Sequence, residues 1–285
     1  MLRIAIQSKG RMMQECIDLL GRVGVELTIR EANPSLVRSS NFPAEVVFLE
    51  KERIPECVAN GVADVGIVGE YLAKMYHTPQ ECIVKKLGFD RCTISLAIPR
   101  DIKYKGIEWF IGKSIATPYP ELVAKFLRSR NIKATLRSMR EGVYKAPKLG
   151  LAEAICDRVH SGTMLFSENL KEVETVMTSE AVLIVTNELS PSKSMILDEF
   201  VQRIDAVQNA VGKKFVMMHI EKRYLDRVLD ILPALKSPMV TPIADDEWVG
   251  VSTVMDETRL WDIIEKLKMY GVENMVIIPI EKVIY

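Results

Sequence analysis

Neither sign of charge is in excess in this chain: Lys and Arg number 38, Asp and Glu number 38, and the formal net charge is +0. No global field therefore favours nucleic acid or an anionic membrane surface, and neither is an expected partner. The 5 cysteines, at 16, 57, 82, 92 and 156, contain no C-x-x-C pair and cannot all pair with one another. That argues against a zinc site and a disulfide framework, and for reduced, buried thiols. No apolar run approaches the length of about 18 residues that a membrane-spanning helix needs. The opening Met1-Leu-Arg-Ile-Ala-Ile has no long apolar segment with a cleavage site of an export signal, so a cytoplasmic location is the expectation.

What the chain does have is apolar substance. At 285 residues and 48% apolar it can build a sizeable interior, divided over two or three domains. Residues 2–6 read as a strand, Gln7-Ser8-Lys9-Gly10-Arg11 as a polar loop, and Cys16, Leu19, Leu20 and Val23 as the apolar stripe of a helix. Strand, helix and buried strand follow at 45–49, 54–60 and 65–68. Such alternation predicts an α/β fold with a largely parallel sheet.

A strand at 91–97 precedes a new α/β region, with a strand at 114–117, a helix at 122–128 and a domain crossing near 97–105. Strands at 172–177 and 181–186 and an amphipathic helix at 192–208 follow, where the chain is expected to return to the first domain. The last segment reads strand 215–219, helix 225–232, strands 239–242 and 248–255, helix 257–270 and strand 275–279. That βαββαβ order predicts a small ferredoxin-like sheet with both helices on one face, a domain type that often binds effectors or self-associates.

The chemistry concentrates in loops. Glu153 to Leu165 is an apolar run with acids at 153 and 157 that breaks into His160-Ser161-Gly162-Thr163. Successive backbone N–H groups and hydroxyls around a glycine make a cradle for phosphate, and Asp157 just upstream is placed to hold sugar hydroxyls. Ser-Gly-Thr is also an ordinary turn, and the segment lacks the Gly-Lys-Ser/Thr ending of a nucleotide P-loop. Lys9-Gly10-Arg11 follows the first strand, where ligands of open α/β sheets collect; the plainer reading is a solvated loop. Asp64-Val-Gly66-Ile-Val-Gly69-Glu70 flanks a buried strand with carboxylates, and Gly66 inside it marks a close approach of backbone or ligand. Thr117-Pro-Tyr119-Pro120 fixes a loop that presents Tyr119 either to a base or to the core. His160 reads as a surface loop histidine.

Taken in order, Arg3-Ile-Ala-Ile-Gln-Ser-Lys-Gly-Arg11, Gly61-Val-Ala-Asp-Val-Gly-Ile-Val-Gly-Glu70, Ile115-Ala-Thr-Pro-Tyr-Pro120, Gly150-Leu-Ala-Glu-Ala-Ile-Cys-Asp157 and Ile278-Pro-Ile-Glu-Lys282 closely resemble the long form of the ATP phosphoribosyltransferase family. The resemblance runs over essentially the whole chain. It implies a two-lobed α/β catalytic core like a type II periplasmic binding protein, with lobe I at 1–97 plus 180–212 and lobe II at 98–179. A C-terminal ferredoxin-like βαββαβ regulatory domain at 213–285 would follow. It further implies that N1 of ATP attacks C1 of phosphoribosyl pyrophosphate with Mg²⁺ aiding the departure of pyrophosphate, as the opening step of histidine biosynthesis. Feedback inhibition by histidine and a homo-oligomer, a hexamer built from dimers, belong to the same expectation.

By the same resemblance Asp157 binds ribose hydroxyls and Ser161, Gly162 and Thr163 bind the 5-phosphate. Lys9, Gly10, Arg11, Asp64, Glu70 and Tyr119 line the nucleotide and pyrophosphate side, with Asp157, Lys9 and Arg11 carrying catalysis. Ser237, Met239 and Asn274 are its regulatory residues; Met239 stands where relatives usually carry Thr. Other departures are Glu50 and Thr93 in place of arginines, Tyr144 in place of an acid and Met164 in place of a hydroxyl residue. They motivate a second reading, a catalytically weak paralogue that binds nucleotide or another anion and regulates a partner. Arg53, Arg91, Arg140, Lys145 and Arg158 are the cations near enough in sequence to replace the missing arginines.

Overall fold

Short apolar runs without polar alternation become strands covered on both faces. In the computed structural model, which describes residues 1–29, 34–232 and 238–285, Val65-Gly-Ile-Val-Gly69 is buried at every position. The chain opens with β1 (Leu2–Gln7), α1 (Arg11–Arg22), β2 (Leu36–Arg38), β3 (Ala44–Leu49), α2 (Arg53–Ala59), β4 (Val65–Gly69), α3 (Glu70–Met75) and β5 (Ile83–Lys86). It continues through β6 (Cys92–Pro99), β7 (Ser114–Thr117), α4 (Pro120–Ser129), β8 (Thr135–Ser138), β9 (Ala154–Val159), α5 (Thr163–Ser167), β10 (Leu170–Ser179) and β11 (Ala181–Val185). Helix α6 (Pro191–Ala210) leads to β12 (Lys213–Glu221), α7 (Leu225–Ile231), β13 (Met239–Pro242), β14 (Trp248–Asp256), α8 (Glu257–Met269) and β15 (Glu273–Pro279).

Helix α1 forms because Met12, Cys16, Leu19 and Leu20 fall on one stripe and are buried together. Helix α4 starts at Pro120, whose fixed φ suits a first turn and whose missing N–H would find no partner there. It buries Val123 and Leu127.

The strands form a six-stranded sheet in the order β2-β3-β1-β4-β11-β5 and a five-stranded sheet in the order β10-β6-β9-β7-β8. In the first, β1 is parallel to β3 and β4, while β11 runs antiparallel to β4. In the second, β7 is parallel to β8 and β9, while β6 runs antiparallel to β9. Each sheet thus has a parallel trio with its first strand central, extended by an antiparallel strand that the chain adds on crossing between the sheets.

Strand β6 corrects the expected crossing near 97–105. It forms ladders with both β9 and β10, so residues 92–97 belong to the second sheet and the chain crosses between Lys86 and Cys92. The return falls between Ser179 and Ala181. Two compact units, Met1–Leu197 and Asp198–Tyr285, divide within α6.

In the unit Asp198–Tyr285 the sheet order is β13-β14-β12-β15, all antiparallel, which with α7 and α8 makes the ferredoxin-like βαββαβ arrangement. Period-two alternation decides its core: Val216, Met218 and Ile220 are buried with Val228 of α7 and Leu260 and Leu267 of α8.

Candidate active site

Beyond the carboxyl ends of β1, β3, β4, β7 and β9 lie three adjoining cavities lined from both sheets of the first unit. The cradle cavity, about 490 Å³, takes in Tyr119, Tyr144, Asp157, Ser161, Gly162 and Thr163. A second includes Lys9, Gly10, Arg11, Glu50, Asp90 and Arg158. A third holds Glu70, Arg91, Thr93, Ser161, Gly162 and Glu180. His160 lines all of them.

The cradle is built by the transition from β9 to α5. Gly162 has φ 69°, which a side chain resists, and a Cβ there would meet open space, so the glycine serves the backbone turn. The hydroxyls of Ser161 and Thr163 stand 2.9 Å apart on either side of it. Both residues are exposed, and both line the cradle cavity. Upstream, Asp157 accepts the backbone N–H of Arg158 at 2.7 Å. Burial pushes its carboxyl above the ordinary value, against that N–H, the Arg158 and Lys51 cations and the Tyr144 hydroxyl.

The loop after β1 presents Lys9 and Arg11 around Gly10, whose φ of 85° turns the chain into α1. Arg11 reaches Asp90 across 3.7 Å. Asp90 is buried, has φ 49° and also faces Arg158 at 3.3 Å and His160 at 3.8 Å. His160 Nδ1 lies 3.1 Å from the Arg91 carbonyl. The histidine is exposed, as its reading as a surface loop residue expects, and it still faces the cavities. Asp90, Arg158 and His160 had no role in the sequence reading beyond Arg158 as a spare cation; only an Asp in a left-handed turn after Gly88-Phe89 could have pointed to the first.

The remaining expected residues separate. Glu70 opens α3 beside the third cavity, paired with Lys74 at 2.9 Å and Lys86 at 3.4 Å. Partial burial disfavours the charged carboxylate, yet the two ammonium groups outweigh it and hold the carboxyl below its usual range. Tyr119 packs edge-on against Tyr71 with ring centroids 5.4 Å apart, in the core of the second sheet, and still lines the cradle cavity. Its hydroxyl is kept protonated by burial and by Tyr71.

Asp64 lines none of these three cavities. It precedes β4, at the amino end of the strand, where it accepts the Arg3 backbone N–H at 2.8 Å and pairs with Lys193 at 2.8 Å. Gly66 also has a structural cause, since a Cβ would lie 2.6 Å from Ile54 and 2.9 Å from Val58 of α2.

The departures fall in the cavities. Glu50 adjoins the Lys9 loop, Thr93 the third cavity, and Tyr144 and Met164 the cradle. The Tyr144 hydroxyl donates to the Arg158 carbonyl at 2.9 Å. In the C-terminal unit Met239 is exposed on β13, and Asn274 has φ 47° at a β-bulge where β15 pairs with β12. Ser237 lies outside the described residues. Among the described residues no group of three or more His, Cys, Asp or Glu could hold a metal ion, and no helix is long and apolar enough to cross a membrane.

Two lobes of one topology, with the hydroxyl-lined turn at Gly162 and cations beyond the carboxyl ends of their strands, define a type II periplasmic-binding-protein-like core joined to a ferredoxin-like domain. A family model described as ATP phosphoribosyltransferase matches residues 50–206, and one described as the C-terminal domain of that family matches 210–282. The chain is 48% identical to the ATP phosphoribosyltransferase of Parabacteroides distasonis over 286 residues, covering 100% of both. It is 48% identical to that of Bacteroides fragilis over 284 residues, again covering 100% of both. A Thermotoga maritima ATP phosphoribosyl transferase (HisG:HisZ) complex has a chain of like fold, with TM-score 0.61 at 20% identity over 72% of this chain and 96% of that one. The chain belongs to the ATP phosphoribosyltransferase family, and its members are pentosyltransferases.

Proposed function

We propose that this protein transfers the 5-phosphoribosyl group of phosphoribosyl pyrophosphate to N1 of ATP, releasing pyrophosphate, in histidine biosynthesis. The observation that carries it is the full-length likeness to curated ATP phosphoribosyltransferases. The cleft supplies the chemistry: Asp157 and the Ser161-Gly162-Thr163 cradle line one cavity, which suits a sugar phosphate held at both ends.

In the transfer the bond from C1 to the pyrophosphate oxygen breaks with its electron pair leaving on that oxygen, and the bond from adenine N1 to C1 forms. Positive charge develops on the ribose between them. Catalysis is then a matter of holding two polyanions in line and stabilising the leaving group. Asp157 is assigned to the ribose hydroxyls, where an ionised carboxylate also faces the developing charge. Ser161, Gly162 and Thr163 are assigned to the 5-phosphate, and Lys9, Gly10 and Arg11 to the pyrophosphate and nucleotide phosphates. Tyr119 and Glu70 are assigned to the nucleotide side. No covalent nucleophile on the protein is required.

Mg²⁺ is the assigned metal. With no cage of three protein ligands among the described residues, the donor set fits an ion bound mainly through substrate phosphate oxygens and water, as Mg²⁺ commonly is. Bound so, it would supply charge neutralisation for the departing pyrophosphate. A cytoplasmic location, a C-terminal regulatory domain, a dimer-to-hexamer homo-oligomer and inhibition by histidine at that domain complete the proposal. The test is magnesium-dependent formation of phosphoribosyl-ATP from the two substrates, with and without histidine. Phosphoribosyl-ATP is the expected product, and folded, magnesium-loaded protein without turnover would overturn the assignment.

A further inference from the structure

A cation from the loop after β1, a cation from the end of β9 and the imidazole that follows it meet on one buried carboxylate. Asp90, its side chain 3% exposed, stands in the crossover between β5 and β6 and faces Arg158 at 3.3 Å, Arg11 at 3.7 Å and His160 at 3.8 Å. Asp tolerates the left-handed φ of 49° better than most residues. A buried acid amid cations has two effects. It neutralises their mutual repulsion while the cleft is empty, and it fixes where their donors point.

We propose that Arg158 is a further substrate-binding residue that grips the diphosphate of the phosphoribosyl donor, and that Asp90 is the residue that positions it. The inference rests on the transfer reaction assigned above. Arg158 lines both the cradle cavity and the cavity of the Lys9 loop. A diphosphate on C1 of a ribose held at Asp157 and directed toward that loop would meet Arg158, which the two cavities share. Asp90 engages Nη1, and the guanidinium carbon lies 5.8 Å from the centroid of the Tyr71 ring, so an acid and an aromatic face hold the planar group from two sides. The rest of the fork is left to a ligand whose oxygens match it in pairs.

The other cations near the departures are less suited. Arg91 is 77% exposed and 4.0 Å from Glu180, and Arg53 is 69% exposed beside Glu56. Arg140 lines the cradle cavity, but no ion pair with a buried acid orients it. With Glu50 and Thr93 in place of arginines, Arg158 is held closer to the buried Asp90 than Arg11 is, at 3.3 Å against 3.7 Å, and is far less exposed, at 29% against 62%.

The experiment uses the full chain and variants Arg158→Gln, Arg158→Lys, Asp90→Asn and the double variant Asp90→Asn with Arg158→Gln. Inorganic pyrophosphate binding is measured by calorimetry, KM and kcat for each substrate by turnover, and folding by thermal melting. Arg158→Gln is expected to weaken pyrophosphate binding and raise KM for phosphoribosyl pyrophosphate about tenfold or more, with KM for ATP changed far less. Arg158→Lys recovers part of the loss.

Asp90→Asn is expected to weaken pyrophosphate binding in the wild-type background and to add nothing in the Arg158→Gln background. The double variant removes both charges of the buried pair and so keeps the comparison open if Arg158→Gln alone fails to fold. Pyrophosphate affinity within twofold of wild type in folded Arg158→Gln or double variant would overturn the role of Arg158. Additive losses would overturn the role of Asp90. Absent turnover with Arg158-dependent pyrophosphate binding would instead defeat the assigned reaction, so the two failures are distinguishable.

Discussion

Lys193, in the first turn of α6, donates to one carboxylate oxygen of Asp64 at 2.8 Å, while the other oxygen accepts the Arg3 backbone N–H at 2.8 Å. The carboxylate therefore ties the amino end of β4 to β1 and α6. Its place in the sequence beside a buried strand looked like a ligand position; its place at the amino end of that strand makes it a fold position.

Asp64→Ala should accordingly cost stability and leave the chemistry alone. Removing the acceptor strands a buried N–H, which costs about 1–3 kcal/mol. For a unit of this size the melting temperature should fall by about 2–4 °C per kcal/mol. Steady-state kinetics below the transition should match wild type. A large rise in KM for ATP without a fall in melting temperature would return Asp64 to the site.

Gly66→Ala should act in the same way for a different reason. The added methyl meets Ile54 at 2.6 Å and Val58 at 2.9 Å, both branched side chains packed on the sheet. Overpacking of this kind costs about 1–3 kcal/mol. Denaturant melts would show it as a lower midpoint with an unchanged slope, and KM for both substrates should stay within twofold. A change of KM with full stability would mean that a ligand, and not α2, is what approaches the strand.

The sequence made much of this arrangement legible where the signal is local. The cradle, the Lys9 loop and the βαββαβ order follow from turn residues and apolar period within single segments. Strands β2 and β8, of three and four residues at sheet edges, carry too few residues for any period to register. Strand β6 is legible as a strand, but its sheet is not, because its ladder partners lie as far along the chain as Ser179 is from Cys92. Asp90 was invisible for the same reason: its meaning depends on Arg11 and Arg158 arriving from distant segments.

Thiol chemistry offers a check on the packing itself. Cys16 and Cys156 are fully buried, and burial pushes both thiols far up, with Glu15 adding to the shift at Cys16 and Asp157 at Cys156. Cys82 and Cys92 are also buried and raised by desolvation, whereas Cys57 on α2 is half-buried. A thiol-specific reagent added to native protein should give one fast reaction, at Cys57, and four more only on unfolding. Cys57→Ser should abolish the fast phase. Rapid labelling of Cys156 would contradict the closed packing of β9 beneath the cradle.

Asp157 sets function against stability. Burial raises the carboxyl above its ordinary value of 3.8, so the folded state binds its proton more tightly than the unfolded chain does. The stabilisation that the neutral acid gives is fully present below about pH 3.8 and is lost as pH rises through the folded-state value. At neutral pH the ionised group is therefore a net cost to the fold, kept for what it does in the cleft. Asn at this position keeps an oxygen for the Arg158 N–H and carries no charge at any pH. Asp157→Asn should thus melt at a higher temperature than wild type at pH 7, with the difference shrinking as pH is lowered toward the carboxylate range. Its kcat/KM for phosphoribosyl pyrophosphate should fall about 10- to 100-fold, the worth of one charge-assisted hydrogen bond to the ribose. Melting curves across pH together with turnover at pH 7 decide the matter. A variant less stable than wild type at neutral pH, or one with full turnover, would show that the carboxylate is held for the fold and not for the sugar.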